Sequence, residues 1–277
     1  MEKTIDLHTH TSASDGTLSP SELISLASDT GLSAVAITDH DTVSGIAEAT
    51  SEGEKCGIEV VPGIEFSTKY KGMVHLLGFY INPECPELLA ELDNIVRDRD
   101  ERNEKIVEIM RADGIDITYE QMKERFGDVI GRPHIATILV ENGIAADTAD
   151  AFARYVSKGM EYYVPRRTLP IERCFELIQQ AGGLAILAHP FEYGYDPSLL
   201  DELILYCFSL GAVGLEVRHP SHTKEQMDFL EQQAEKYGFI KTGGSDFHGS
   251  IKPNNPLGEP EIPYSWLEHL KIAAAGI

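Results

Sequence analysis

The sequence predicts an α/β fold whose strands release their C-terminal ends toward one mouth, interrupted by a block of helices. Three observations predict it. Strand and helix signals alternate up to about residue 83 and again after Pro165. Between Glu84 and Val164 the strand signals vanish. Apolar strand after apolar strand is followed by a histidine or carboxylate, as at the C-terminal face of α/β barrels, where sites are built. At 277 residues the chain suits one large α/β domain or one domain with an insertion. The boundaries read as 1–83 and 165–277 for the α/β part and 84–164 for the helical insertion.

Taken in order, Thr4 to Leu7 is the first strand and runs into His8-Thr9-His10. A strand repeats every second residue, so these two imidazoles point to the same side. Ser19 caps a helix with Pro20 at its first position, ending near Gly31. Ala34 to Thr38 is a buried strand leading to Asp39-His40-Asp41, and Val43 to Cys56 is helical. Val60 to Ser67 and Val74 to Phe79 form a hairpin about Lys69–Gly72. Antiparallel pairing there brings His75 near Glu65. In the insertion, Leu88 to Ala112 reads as one long charged helix, followed by helices over 119–126, 134–141 and 148–157. The alternation then resumes: helix 171–181, strand 184–188 ending in His189, helix 199–210, strand 213–217 with Glu216, helix 224–237, and strand 239–242 leading to Asp246 and His248. Past Pro253 the tail is proline-rich and then weakly helical.

Composition excludes several classes. The formal net charge is −22, with no basic stripe, which argues against duplex nucleic acid. No run is long and apolar enough for a membrane span, and no secretory leader is evident. Four scattered cysteines without a C-x-x-C read as free thiols of a cytoplasmic protein. No obligate protein partner is indicated.

The histidines and carboxylates that follow the strands form a set hard to assemble by chance. It comprises His8, His10, Asp15, His40, Glu65, His75, His189, Asp246 and His248. Each histidine alone is better explained as a structural residue; together they read as a polynuclear metal site. Histidine plus carboxylate without cysteine suits zinc, manganese or iron over an all-oxygen calcium or magnesium cage. Glu65, between the groups, is the candidate bridge. Such a site suits phosphoester hydrolysis by activated water, without a side-chain nucleophile.

Asp6-Leu7-His8-Thr9-His10, Thr38-Asp39-His40-Asp41, Gly63-Ile64-Glu65, His189-Pro190 and Ser245-Asp246-Phe247-His248 resemble the motifs of the PHP (polymerase and histidinol phosphatase) superfamily. The resemblance implies a distorted seven-stranded β/α barrel and two to three divalent metal ions. It implies His8, His10, Glu65 and Asp246 for one metal, Glu65, His75 and His189 for a second, and Asp15, His40 and His248 for a third. Asp39, Asp41 and Glu216 are left to orient imidazoles or to be solvated.

Length argues against a replicative polymerase, histidinol phosphatases stay possible, and the helical insertion, with Gly131-Arg132-Pro133-His134, is more similar to the stand-alone phosphoesterases acting on nucleotides. That implies a small phosphorylated substrate: a nucleoside 3′,5′-bisphosphate or a short 5′-phosphorylated RNA. The alternatives are a phosphatase of the histidinol phosphate type and a non-catalytic regulatory module. Arg99 and Arg102 lie three apart on one helix face and are candidates for phosphate, as are Arg132 and His134. Asp98, Asp100, Glu101 and Glu104 allow a solvated, salt-bridged face for the first pair. Arg166 and Arg167 read more simply as a solvated loop. Glu65 and Asp246 are catalytic candidates, with His134 or His219 to protonate the leaving oxygen. Tyr162, Tyr163, Phe191 and Tyr193 are candidates to stack a base.

Overall fold

The strands assemble into one nine-stranded sheet in the computed structural model, which describes residues 3–127, 129–165 and 167–276. In chain order they are β1 (Thr4–Asp6), β2 (Ala34–Ile37), β3 (Glu59–Lys69), β4 (Met73–Phe79), β5 (Leu169–Pro170), β6 (Leu184–Leu187), β7 (Gly214–Arg218), β8 (Ile240–Gly243) and β9 (Ile262–Pro263). The sheet order is β8-β7-β6-β4-β3-β2-β1-β9, with β5 beside β3. β1, β2 and β3 pair in parallel. β4 returns antiparallel, with Ser67 opposite His75 and Glu65 opposite Leu77. β6 pairs antiparallel to β4, and β7 and β8 continue in parallel. The Leu7 N–H donates to the Gly243 carbonyl at 3.2 Å, and Thr9 and Phe247 form a parallel bridge. These contacts bring β1 and β8 together, so the sheet nearly closes on itself as the barrel expected.

The seven longer strands match the sequence reading; β5 and β9 have two residues each, too few to show a period. Every residue of β2 and β6 is buried, as continuous apolar runs require when both faces are covered. The helices are α1 (Pro20–Asp29), α2 (Ile46–Cys56), α3 (Pro86–Ala112), α4 (Tyr119–Phe126), α5 (Arg132–Glu141), α6 (Thr148–Ala151), α7 (Ile171–Gln180), α8 (Pro197–Ser209), α9 (Lys224–Tyr237) and α10 (Tyr264–Ala274). Ser19 and Glu22 cap α1 reciprocally, each side chain accepting from the other's backbone N–H. Two expectations are corrected. The helix over 148–157 breaks into the short α6 and a wide π-type turn, Phe152–Val156. The tail is not weakly helical: α10 buries Trp266, Leu267 and Leu270.

Two apolar cores result. One lies between the sheet and its helices. The second is built wholly from 106–162, by residues such as Met110, Ile135, Leu139 and Tyr162. α3 belongs to both: Leu88 and Leu92 enter the first, and Ile106, Val107 and Met110 the second. Its middle, which carries Arg99 and Arg102, lies at the junction.

Candidate active site

The strands end where the sequence places its histidines and carboxylates, and the structure gathers them at one mouth. Glu65 is fully buried at its centre. His189 Nε2 and His75 Nδ1 lie 2.8 and 2.9 Å from its Oε1. His40 Nδ1 lies 2.9 Å and His10 Nε2 3.3 Å from Oε2, and His8 Nε2 is 3.4 Å from Oε1. Burial alone raises the Glu65 carboxyl, but the His40, His75 and His8 imidazoles reverse that and hold it well below the usual carboxylate range. Asp246 Oδ1 is 3.3 Å from His10 Nε2 and 3.6 Å from His8 Nε2. Asp15 Oδ1 is 3.3 Å from His248 Nε2 and 3.9 Å from His10 Nδ1. Burial lowers the affinity of His10 for a proton, and Asp246 and Glu65 outweigh it to bring the imidazole to about 9.

The ligand atoms fall into sets lying within 4.8 Å of one another: His10, Asp15, His40 and His248; His8, His10 and Asp246; His8, Glu65 and His189; His40, Glu65 and His75. His75 and His189, expected around one metal, fall in separate sets joined by Glu65. Several of these buried atoms have no hydrogen-bond partner among the described residues: His8 Nε2, both ring nitrogens of His10, Asp15 Oδ1, His40 Nδ1 and Glu65 Oε2. Such atoms cost about 1–3 kcal/mol each when left unsatisfied. Converging nitrogens and carboxylate oxygens without cysteine are a donor set that fits divalent zinc, manganese or iron.

Surrounding groups aim this cluster. Glu216 Oε1 accepts from His8 Nδ1 at 2.8 Å and its Oε2 from the His189 N–H at 2.7 Å. Burial raises the Glu216 carboxyl, yet the neighbouring His8 overrides it and brings it to about 2. Asp39 accepts from the Thr11 N–H and hydroxyl and from the Ser14 hydroxyl at 2.6–2.8 Å, fixing the loop that carries Asp15. Asp6, which the sequence reading passed over, accepts from the backbone of His8, Ser245 and Gly258 and ties β1 to the loop after β8. It stands in the quoted Asp6-Leu7-His8-Thr9-His10 motif, as a carboxylate inside an apolar strand, with no role assigned to it. Gly244 is required there: a Cβ on it would meet His8 N at 2.4 Å and Asp6 Oδ1 at 2.8 Å. Asp41 and Asp246 take left-handed backbone, φ 53° and 50°, which costs about 1–2 kcal/mol each. Lys252, also unmarked in the sequence, ion-pairs with Asp246.

A cleft of about 220 Å³ opens beside the cluster. It is lined by Asp15, His40, His75 and His248 of the cluster and by Arg99, Arg102 and Arg132, carried on α3 and α5. Arg99 and Arg102 are buried, so the solvated helix face does not hold for them. Arg99 Nη2 lies 2.5 Å from Asp41 Oδ2, whose Oδ1 accepts from the Ser67 N–H at 2.9 Å. Pro133 lies inside the first turn of α5 rather than before it. His134 is buried behind the cleft wall: its Nδ1 accepts from the Gly131 N–H at 3.0 Å, its ring stacks on Phe126, and burial lowers its pKa. His219 is closer to the chemistry, with Nε2 3.5 Å from Asp246 Oδ2. His222 bonds the Val217 carbonyl. Of the aromatic candidates, Tyr163 lines the cleft, Tyr162 is in the insertion core, and Phe191 and Tyr193 pack on the barrel core. Tyr193 bonds the backbone of His75 and Ala188. Phe152, unmarked in the sequence, lines the cleft too. Arg167 is exposed, and Arg166 lies outside the described residues. No helix among the described residues is long and apolar enough to cross a membrane.

Comparison with known proteins agrees with this geometry. The PHP domain family matches residues 6–164. A 5′-3′ exoribonuclease of Haemophilus influenzae is 34% identical over 249 residues, 90% of this chain and 91% of that protein. A 3′,5′-nucleoside bisphosphate phosphatase of Chromobacterium violaceum is 34% identical over 261 residues, 93% of this chain and 91% of that protein. The crystal structure of a metal-dependent phosphoesterase from Bifidobacterium adolescentis superposes with a TM-score of 0.86 at 33% identity, covering 97% of this chain and 95% of that one. Motifs, barrel, histidine–carboxylate mouth and relatives converge on one statement: the chain belongs to the PHP family and is a metal-dependent phosphoesterase.

Proposed function

We propose that this chain hydrolyses the 3′-phosphate of a nucleoside 3′,5′-bisphosphate, with the histidine–carboxylate cluster taking the phosphate that leaves and the insertion arginines taking the one retained. The observation that carries this reading is the cleft lined jointly by His40, His75, Asp15 and His248 of the cluster and by Arg99, Arg102 and Arg132. A substrate with one phosphate has no use for the second set, which argues against the histidinol phosphate type. A non-catalytic module is disfavoured because all nine expected cluster residues are present. The similarity to the exoribonuclease supports a second substrate, short 5′-phosphorylated RNA, whose terminal phosphate suits the same arginines.

Two to three divalent ions would fit the cluster: His8, His10, Glu65 and Asp246 would hold one, Asp15, His40 and His248 another, and Glu65 would be shared with His189 and with His75, which lie in separate sets. Ions so held supply Lewis acidity toward phosphoryl oxygens and lower the pKa of water to about 7. Glu65 would be shared between ions, and Glu216 and Asp39 keep imidazoles and loop in place. The arginine forks orient the retained phosphate. His219 Nε2 is unpartnered among the described residues and faces Asp246, so it is the better placed histidine to hold a proton for the leaving ribose oxygen. His134, with Nδ1 engaged by Gly131, positions Arg132 instead.

The test is phosphate release from adenosine 3′,5′-bisphosphate, histidinol phosphate and a 5′-phosphorylated short RNA, with manganese, zinc and iron supplied separately. The bisphosphate is expected to have the highest kcat/KM. Arg132→Ala is expected to raise its KM about tenfold or more, with little change for a simple phosphomonoester. Equal effects on both substrates would reject the role of Arg132, and preferential hydrolysis of histidinol phosphate would reject the reading.

A further inference from the structure

The cleft carries more than phosphate requires. Beside its charged walls lie Phe152, Tyr163, Val164, Met73 and Ile251. Neither phosphates nor ribose hydroxyls bury well against such a surface. An apolar patch with a few convergent charges marks where the organic part of a ligand lies. Phe152 stands out by its backbone as well. It opens the wide turn that ends α6, where the Ser157 N–H reaches back to the Phe152 carbonyl at 3.2 Å. Wide turns of this kind re-aim side chains and recur at functional sites. Phe152 is half-buried, with the insertion core beneath it and the cleft in front. The Arg132 guanidinium lies over its ring, 5.8 Å from the centroid, so the aromatic face and the phosphate fork share one corner of the cleft.

We infer that Phe152, with Tyr163 beside it, is the stacking platform for a planar ring on the substrate, and that it discriminates nucleotides from ring-free phosphate esters. The inference rests on the bisphosphate reading of the cleft and adds its specificity determinant. The ring lies on Phe152 while Arg132 takes the retained phosphate, so both anchors come from the insertion and only the scissile phosphate reaches the barrel mouth. Every base offers a π-face, so the platform favours nucleobases as a class.

The experiment compares adenosine 3′,5′-bisphosphate with 1,3-propanediol bisphosphate, which keeps the three-carbon spacing between phosphate oxygens and has no ring. Phe152→Leu retains apolar volume over the insertion core, and Phe152→Tyr retains the ring. In Phe152→Leu, KM for the adenosine substrate is expected to rise about 5- to 150-fold, the range of a lost base–aromatic stack. KM for the propanediol substrate is expected to stay within twofold, and Phe152→Tyr to restore the adenosine KM. Equal KM changes for both substrates, or no change for either, would overturn the platform. Wild-type protein that hydrolyses the two equally well would also overturn it and leave the bisphosphate reading standing. Wild-type protein that hydrolyses neither would overturn both.

Discussion

Glu216→Gln isolates the part of the site that aims the imidazoles from the part that binds. The carboxylate accepts two hydrogen bonds from opposite sides, from His8 Nδ1 at 2.8 Å and from the His189 backbone at 2.7 Å. Glutamine keeps the shape but offers one acceptor oxygen, so one buried donor faces an NH2 group. The loss of a charge-assisted hydrogen bond costs about 1.5–3 kcal/mol. If nearly all of that falls on the orientation of His8, metal affinity drops roughly 10- to 100-fold, equivalent to about 1.4–2.8 kcal/mol. The assay is competition for manganese or zinc against a chelator of known affinity, alongside phosphate release as a function of free metal. The expected result is a right-shifted metal dependence with near-normal kcat at saturation. Unchanged metal affinity with a lowered melting temperature would show that Glu216 supports only the fold, and the reasoning would fail.

Glu216 also sets an acid limit on the metal-free protein. Its folded pKa of about 2 lies below its usual value of 4.5, so its stabilisation is complete above pH 4.5 and lost as pH falls through 2. Urea midpoints of metal-free wild type should therefore fall more steeply across that window than those of E216Q; parallel slopes would refute the linkage. Gly244→Ala should lose bound metal and most activity, because its Cβ has His8 N at 2.4 Å; metal content by mass spectrometry on folded protein checks it, and full loading would refute the close approach.

The metal-type residues could be read from the chain because most follow a strand, while Glu65 and His75 lie within the paired β3 and β4, and the barrel brings these positions together whatever lies between them. Asp246 and His10 are 236 positions apart yet have side chains within 3.3 Å. The arginines were harder. The charge pattern around Arg99 and Arg102 is the same for a solvated helix and for one docked against the barrel mouth; only docking decides. Phe152 gave no signal because Thr148 to Ser157 has continuous helical character and no glycine or proline marks the wide turn at Phe152–Val156. β9 and α10 were underestimated because their support comes from contacts with β1 at the far end of the chain. Asp6 was passed over because nothing in a strand of three residues shows that its carboxylate will gather three backbone N–H groups.

The helix that enters both cores bears on how this molecule measures its substrate. α3 is unbroken over 27 residues, a rod of about 40 Å. Its first turns are rooted beneath the barrel and its last turns beneath the insertion, so the two bodies share a beam rather than a hinge. Arg99 and Arg102 ride on the span between the anchors. Bending it enough to move them by an ångström means breaking backbone hydrogen bonds or shearing a packed core. Arg99 and Arg102 are therefore held in place relative to the barrel mouth by a helix anchored in both cores. On the bisphosphate reading, that fixed placement adds a requirement on phosphate spacing to the ring preference proposed for Phe152.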